Sequence, residues 1–166
     1  MIGMPSGRSI VLTFGWLLLL LVCPALYSQQ SPVAPVLFVC EHGSVKSLMA
    51  ASYFNRKARE RNLPYHAIAR GTSPDEAVPE GIARHLGDDG FDVRDFKPVR
   101  VSGTDLATAS RVVLIGVPST ALPDAKSLSA ERWDDVPPAS IDYLAARKAL
   151  EQHIDQLLDE LQATRH

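Results

Sequence analysis

Eight consecutive residues, Cys40-Glu-His-Gly-Ser-Val-Lys-Ser47, place a thiol, an ammonium, two hydroxyls and a glycine in one short stretch. A cysteine sulfur is a nucleophile in its thiolate form. Where such a stretch leads from a parallel strand into a helix, consecutive backbone N–H groups and the positive end of the helix dipole meet at one point, and that point binds an anion. The backbone of Glu41, His42, Gly43, Ser44 and Val45 then forms a substrate-binding cradle, with Cys40 beneath the anion, Lys46 neutralising its charge and Ser47 donating to the sulfur. His42 is placed to hydrogen-bond the anion or to keep Cys40 ionised, and Ser44 to offer its hydroxyl to the loop backbone. Plainer readings compete: an ordinary turn around a buried cysteine, a solvent-exposed His42, and a Ser47 that caps the helix.

The flanking residues predict the elements this chemistry needs. Val36-Leu-Phe-Val39 is a continuous apolar run of the kind buried on both faces of a parallel sheet. A helix is predicted from about Ser47 to Asn62, with Leu48, Ala51, Phe54 and Ala58 at helical spacing and Asn55, Arg56, Arg59 and Glu60 toward water. A weaker strand is predicted over 65–70, a helix over 80–86, a short helix over 103–109 and a second buried strand over 111–116. A last helix over 141–161 carries Leu144, Leu150, Ile154, Leu157, Leu158 and Leu161 as its apolar stripe. This alternation predicts a parallel sheet between helices with right-handed crossovers. Trp133 and Tyr143 are read as core residues, with an aromatic substrate slot as the alternative. His66, His85 and His153 show no metal-ligand spacing, so neither a metal nor any other cofactor is expected.

The chain has 166 residues, with 17 Lys+Arg against 19 Asp+Glu and a formal net charge of −2. That balance gives no overall basic field, and no nucleic-acid partner is expected. Residues 1–28 contain Arg8 ahead of an apolar run from Ile10 to Val22 and then small residues, which reads as a cleavable signal peptide. A linker over 29–34 follows, and one domain is expected over 35–163. The protein is therefore expected to be exported, periplasmic or secreted, with a membrane-anchored form if the leader is not cleaved. Export would leave Cys40 as the only thiol in an oxidising space.

The run Val36-Leu-Phe-Val-Cys-Glu-His-Gly-Ser-Val-Lys-Ser-Leu-Met-Ala-Ala51 resembles the signature of the low-molecular-weight protein tyrosine phosphatases and the thioredoxin-coupled arsenate reductases that share their fold. The resemblance extends through Ala69-Arg-Gly-Thr72, residues 78–93, the strand at 111–116 and Trp133-Asp-Asp-Val-Pro-Pro138. It implies a flavodoxin-like, doubly wound four-stranded parallel sheet with Cys40 at the end of the first, central strand. It also implies hydrolysis of a phosphomonoester or phosphotyrosine through a phosphocysteine on Cys40, in a phosphate-bearing small molecule or a phosphoprotein.

Two positions depart from the family's pattern. Its loop arginine is Lys46 here, which keeps the charge and loses the two-pronged geometry. Its Asp-Pro acid is displaced: Pro137 takes the Asp position, leaving Asp135 as the expected proton donor and Asp134 beside it at the substrate. The alternative for both acids is a solvated loop. Two other functions remain open. One is an arsenate reductase, which needs an external thiol donor because no cysteine follows Cys40; the other is a non-catalytic oxyanion-binding module.

Overall fold

The computed structural model describes residues 33–123 and 129–164. The expected signal peptide and most of the linker lie outside these residues. The element order is β1 (Val36–Cys40), α1 (Lys46–Glu60), β2 (Ala67–Gly71), α2 (Glu80–Asp88), α3 (Gly103–Thr108), β3 (Arg111–Leu114), a 3-10 turn (Ser119–Ala121), β4 (Glu131–Arg132) and α4 (Tyr143–Ala163). The four strands pair in parallel in the order β2-β1-β3-β4. This is the expected doubly wound α/β sheet, with β1 in its interior.

All five β1 residues are buried because the sheet is covered on both faces. Val36, Phe38 and Cys40 point into the larger core, which takes the apolar faces of α1, α2 and α4. Leu37 and Val39 point into a smaller core with Val101, Val112, Leu114, Val117 and Leu122. Phe38 touches Phe54 and Trp133, at ring-centroid distances of 5.8 and 5.3 Å. Trp133 and Tyr143 are both buried in the larger core.

Several expectations need correction. The fourth of the expected strands, which the apolar pattern does not locate, is not among them: β4 is two exposed residues, recruited by backbone pairing to Val113 and Leu114. In α4 the buried face begins at Tyr143 and runs through Ala146, Leu150, Ile154, Leu157, Leu158 and Leu161. Leu144 is off that stripe and 69% exposed, because Asp142 caps the helix and fixes its phase by accepting from Ala145 N–H at 2.9 Å. On α1, Asn55 does not simply face water. Its side-chain amide exchanges hydrogen bonds with the Ala67 backbone at 2.7 and 3.0 Å, tying the helix to β2. Arg56 lies over the Phe91 ring at 4.4 Å and donates to the Asp89 carbonyl at 2.9 Å.

Two helices also converge on the Asp89 carboxylate, just past α2. It accepts from Tyr53 of α1 and from Tyr143 (2.7 Å) and Arg147 of α4. Among the described helices none is long and apolar enough to cross a membrane.

Candidate active site

The loop from Cys40 to Lys46 turns sharply at Gly43, which has φ +69°. Its backbone is clamped from the side by the segment after β2. Thr72 N–H donates to the Cys40 carbonyl (3.0 Å), Ser73 N–H to Glu41 (2.8 Å) and Asp75 N–H to His42 (3.0 Å). The loop is thus held like a strand edge on one side, and on the other it runs directly into α1.

The sulfur of Cys40 accepts from two backbone donors, Gly43 N–H at 3.3 Å and Ser47 N–H at 3.4 Å, and shares a hydrogen bond with the Ser47 hydroxyl at 3.1 Å. Cys40 and Ser47 are both buried. The N-cap of α1 is Val45, with no side-chain cap, so capping by Ser47 is not what the structure contains. The first-turn N–H of Ser47, which most helices would give to a cap or to water, is directed at the sulfur instead. Donors at this point stabilise negative charge on sulfur.

Above the sulfur lies a cavity of about 380 Å³. The loop contributes Cys40, Glu41, His42, Val45 and Lys46 to it; Asp75 and Pro79 come from beyond β2, Ile115 and Gly116 from beyond β3, and Pro138, Ala139 and Ser140 from beyond β4. Chain from beyond the carboxyl end of every strand therefore meets here, which is where ligands bind in open parallel sheets. Lys46 reaches across to Gly116. A Cβ on Gly116, which has φ +66°, would lie 2.6 Å from the Lys46 ammonium nitrogen.

Asp75 was not singled out from the sequence. Its carboxylate accepts from His42 Nδ1 at 3.0 Å and from the hydroxyl of Ser44, which is fully buried. Ser44 thus serves Asp75 rather than the loop backbone. The available signal was positional: Asp75 follows the carboxyl end of the strand adjacent to β1, where site residues of such sheets collect.

Asp134 and Asp135 are not brought to the cavity. Arg132 donates to Asp134 at 2.7 and 2.9 Å. Asp135 is bound to His153 Nε2 at 2.8 Å, and the His153 ring is stacked on Trp133 with centroids 4.8 Å apart. The hydrogen bond from His153 holds the Asp135 carboxyl below the usual carboxylate range. Among the described residues, no group of three or more His, Cys, Asp or Glu side chains is arranged to hold a metal ion.

No family model matches the chain. The structure of YfkJ from Bacillus subtilis superimposes with a TM-score of 0.71 at 19% identity, covering 82% of this chain and 99% of the other. That of a low-molecular-weight protein tyrosine phosphatase from T. tengcongensis does so with a TM-score of 0.58 at 20% identity, over 76% and 98%. This is the fold of the low-molecular-weight protein tyrosine phosphatases and arsenate reductases. In sequence, the chain is 27% identical over 128 residues to a Halobacterium salinarum (strain ATCC 700922 / JCM 11081 / NRC-1) protein named "Putative arsenate reductase", covering 74% of this chain and 89% of that one. Within the low-molecular-weight phosphatase fold, the cavity here opens onto the loop from Cys40 to Lys46 at the end of β1.

Proposed function

We propose that the protein is a cysteine-dependent phosphatase that cleaves phosphate monoesters through a phosphocysteine on Cys40. The observation that carries this reading is the convergence of two backbone N–H donors and the Ser47 hydroxyl on the Cys40 sulfur at the base of a cavity that also contains Lys46. The thiolate attacks phosphorus, the P–O ester bond breaks, and its electron pair leaves on the departing oxygen, which takes up a proton. Water then attacks the phosphocysteine, releasing phosphate and returning the electron pair to sulfur. Ser47 stabilises the sulfur when it is the leaving group. The Lys46 ammonium offsets charge on the equatorial oxygens, as lysines do in other phosphate cradles, and the backbone of residues 41–45 cradles them.

The test is turnover of p-nitrophenyl phosphate and affinity for inorganic phosphate, each measured beside Cys40→Ser. Turnover that this substitution abolishes supports the reading. Phosphate affinity without turnover would replace it with a non-catalytic oxyanion-binding module.

The sequence similarity to the Halobacterium salinarum protein favours a second reading, arsenate reduction, since arsenate has the shape and charge of phosphate. No cysteine follows Cys40, so reduction would require a thiol from another molecule. Arsenate-dependent consumption of an added small thiol or of reduced thioredoxin separates this reading from the first. The leader over residues 1–28 adds export to both, and the N-terminal sequence of the mature protein in each cell fraction tests it.

A further inference from the structure

A phosphatase must protonate the leaving oxygen when the departing alcohol is a poor leaving group, and the proton has to come from a group at the cavity. The two aspartates of the 133–138 stretch do not line it; Asp134 is bound to Arg132 and Asp135 to His153. The loop between β4 and α4 shows the cavity Pro138, Ala139 and Ser140 instead. The ionisable groups that do line it are Cys40, Glu41, His42, Lys46 and Asp75.

Each of these except His42 is otherwise committed or poorly held. Cys40 is the nucleophile, and Lys46 is needed as a cation. Asp75 spends its two oxygens as acceptors, one from His42 and one from Ser44. The Glu41 side chain is 67% exposed and makes only a 3.9 Å approach to His42 Nε2. His42 has an imidazole at the cavity whose orientation is set from behind. A carboxylate can only accept, so Nδ1 donates to Asp75 at 3.0 Å, and Nε2 is left as the proton-carrying position. Asp75 is itself fixed by the buried Ser44 hydroxyl and by its own N–H, which donates to the His42 carbonyl at 3.0 Å.

We propose that His42 is the proton donor to the leaving oxygen and that Asp75 is the positioning residue that aims it. The assignment rests on the phosphatase reading. In the first step the Sγ–P bond forms, the P–O bond breaks, and the leaving oxygen takes the proton from His42 Nε2 of the imidazolium. In the second step the neutral imidazole takes a proton from the attacking water, and the Sγ–P bond breaks.

The test compares phenyl phosphate, a poor leaving group, with p-nitrophenyl phosphate, a good one, using the full chain. His42→Ala should lower kcat/KM, which reports the first step and not the hydrolysis of the phosphocysteine common to both substrates, by about 10²–10⁴-fold for phenyl phosphate, the usual range for general acid catalysis, and far less for p-nitrophenyl phosphate. Added imidazole should restore part of the phenyl phosphate rate. Asp75→Asn keeps the acceptor and the bulk but loses the charge, and should shift the ratio of the two rates in the same direction by a smaller factor. Equal losses on both substrates, or no rescue by imidazole, would overturn the assignment and leave the phosphatase reading standing. Absence of any Cys40-dependent turnover in the unmodified protein would overturn both.

Discussion

Gly43 and Gly71 meet backbone to backbone. A Cβ on Gly43 would lie 2.9 Å from Gly71 N, and a Cβ on Gly71 would lie 2.8 Å from Gly43 N and 2.9 Å from the Glu41 carbonyl oxygen. The end of β2 therefore serves as the rear wall of the loop that carries Cys40, and neither wall has room for a side chain.

Gly71→Ala should accordingly damage the site and not only the fold. Gly71 has an ordinary backbone conformation, so the cost comes from overpacking against fixed backbone, typically 1–3 kcal/mol. A fall in melting temperature together with weaker phosphate binding is expected. Gly43→Ala should be worse, because strain from φ +69° adds to the clash. A Gly71→Ala protein with unchanged phosphate affinity would show that the loop can retreat from β2 without loss.

Gly116→Ala tests the opposite wall. The added methyl would lie 2.6 Å from the Lys46 ammonium nitrogen and push it aside, and a residue with a side chain would have to hold φ +66°. Calorimetric titration with inorganic phosphate should show lower affinity, with a stability loss of about 1–2 kcal/mol from the left-handed conformation. Affinity that survives while stability falls would place Lys46 outside anion binding.

Asp135→Asn should change the turnover of phenyl phosphate and of p-nitrophenyl phosphate by less than about threefold, since His153 holds this carboxyl ionised and it does not line the cavity. The contrast with the 10²–10⁴-fold range for loss of a general acid makes the measurement decisive. A large selective loss on phenyl phosphate would mean that the 133–138 stretch swings in during the reaction.

The Asp89 network should give stability a distinct pH dependence. Burial raises the Asp89 carboxyl, but the Tyr53 and Tyr143 hydroxyls and the Arg147 and Arg56 guanidiniums lower it further, leaving it below its ordinary value of 3.8. Its contribution is thus complete above about pH 4 and is lost as pH falls through the lower folded value. Tyr53 behaves in the opposite sense. Burial first, and then the hydrogen bond to Asp89, push it from 10.0 up to about 12, so its contribution is complete below its ordinary value and is lost as pH rises through the folded one. Asp89→Asn should cost on the order of 2 kcal/mol, the scale of hydrogen bonds to a charged group, and should flatten the acid limb of urea midpoints measured across pH.

The parts of the protein that the sequence alone determined are those specified by neighbours along the chain. The apolar run Val36–Val39 reads as a buried strand because its residues must satisfy both faces of a covered sheet. The spacing of Leu48, Ala51, Phe54 and Ala58 reads as a helix because side chains three and four apart share a face. The loop from Cys40 to Ser47 is contiguous, so its chemistry was legible before its shape was. The remaining features depend on segments far apart in the chain. Glu131 and Arg132 form a strand because β3 offers them a free edge, not because their side chains prefer one. Asp135 faces His153, and Leu144 faces water, because the Asp142 cap sets the phase of α4. Asp75 reaches His42 and Ser44 because β1 and β2 are paired in register, Cys40 opposite Gly71, which carries the residues after each strand to the same end of the sheet. Local pattern is written in spacing, whereas these partners are chosen by the packing of whole elements, which no single stretch of sequence contains.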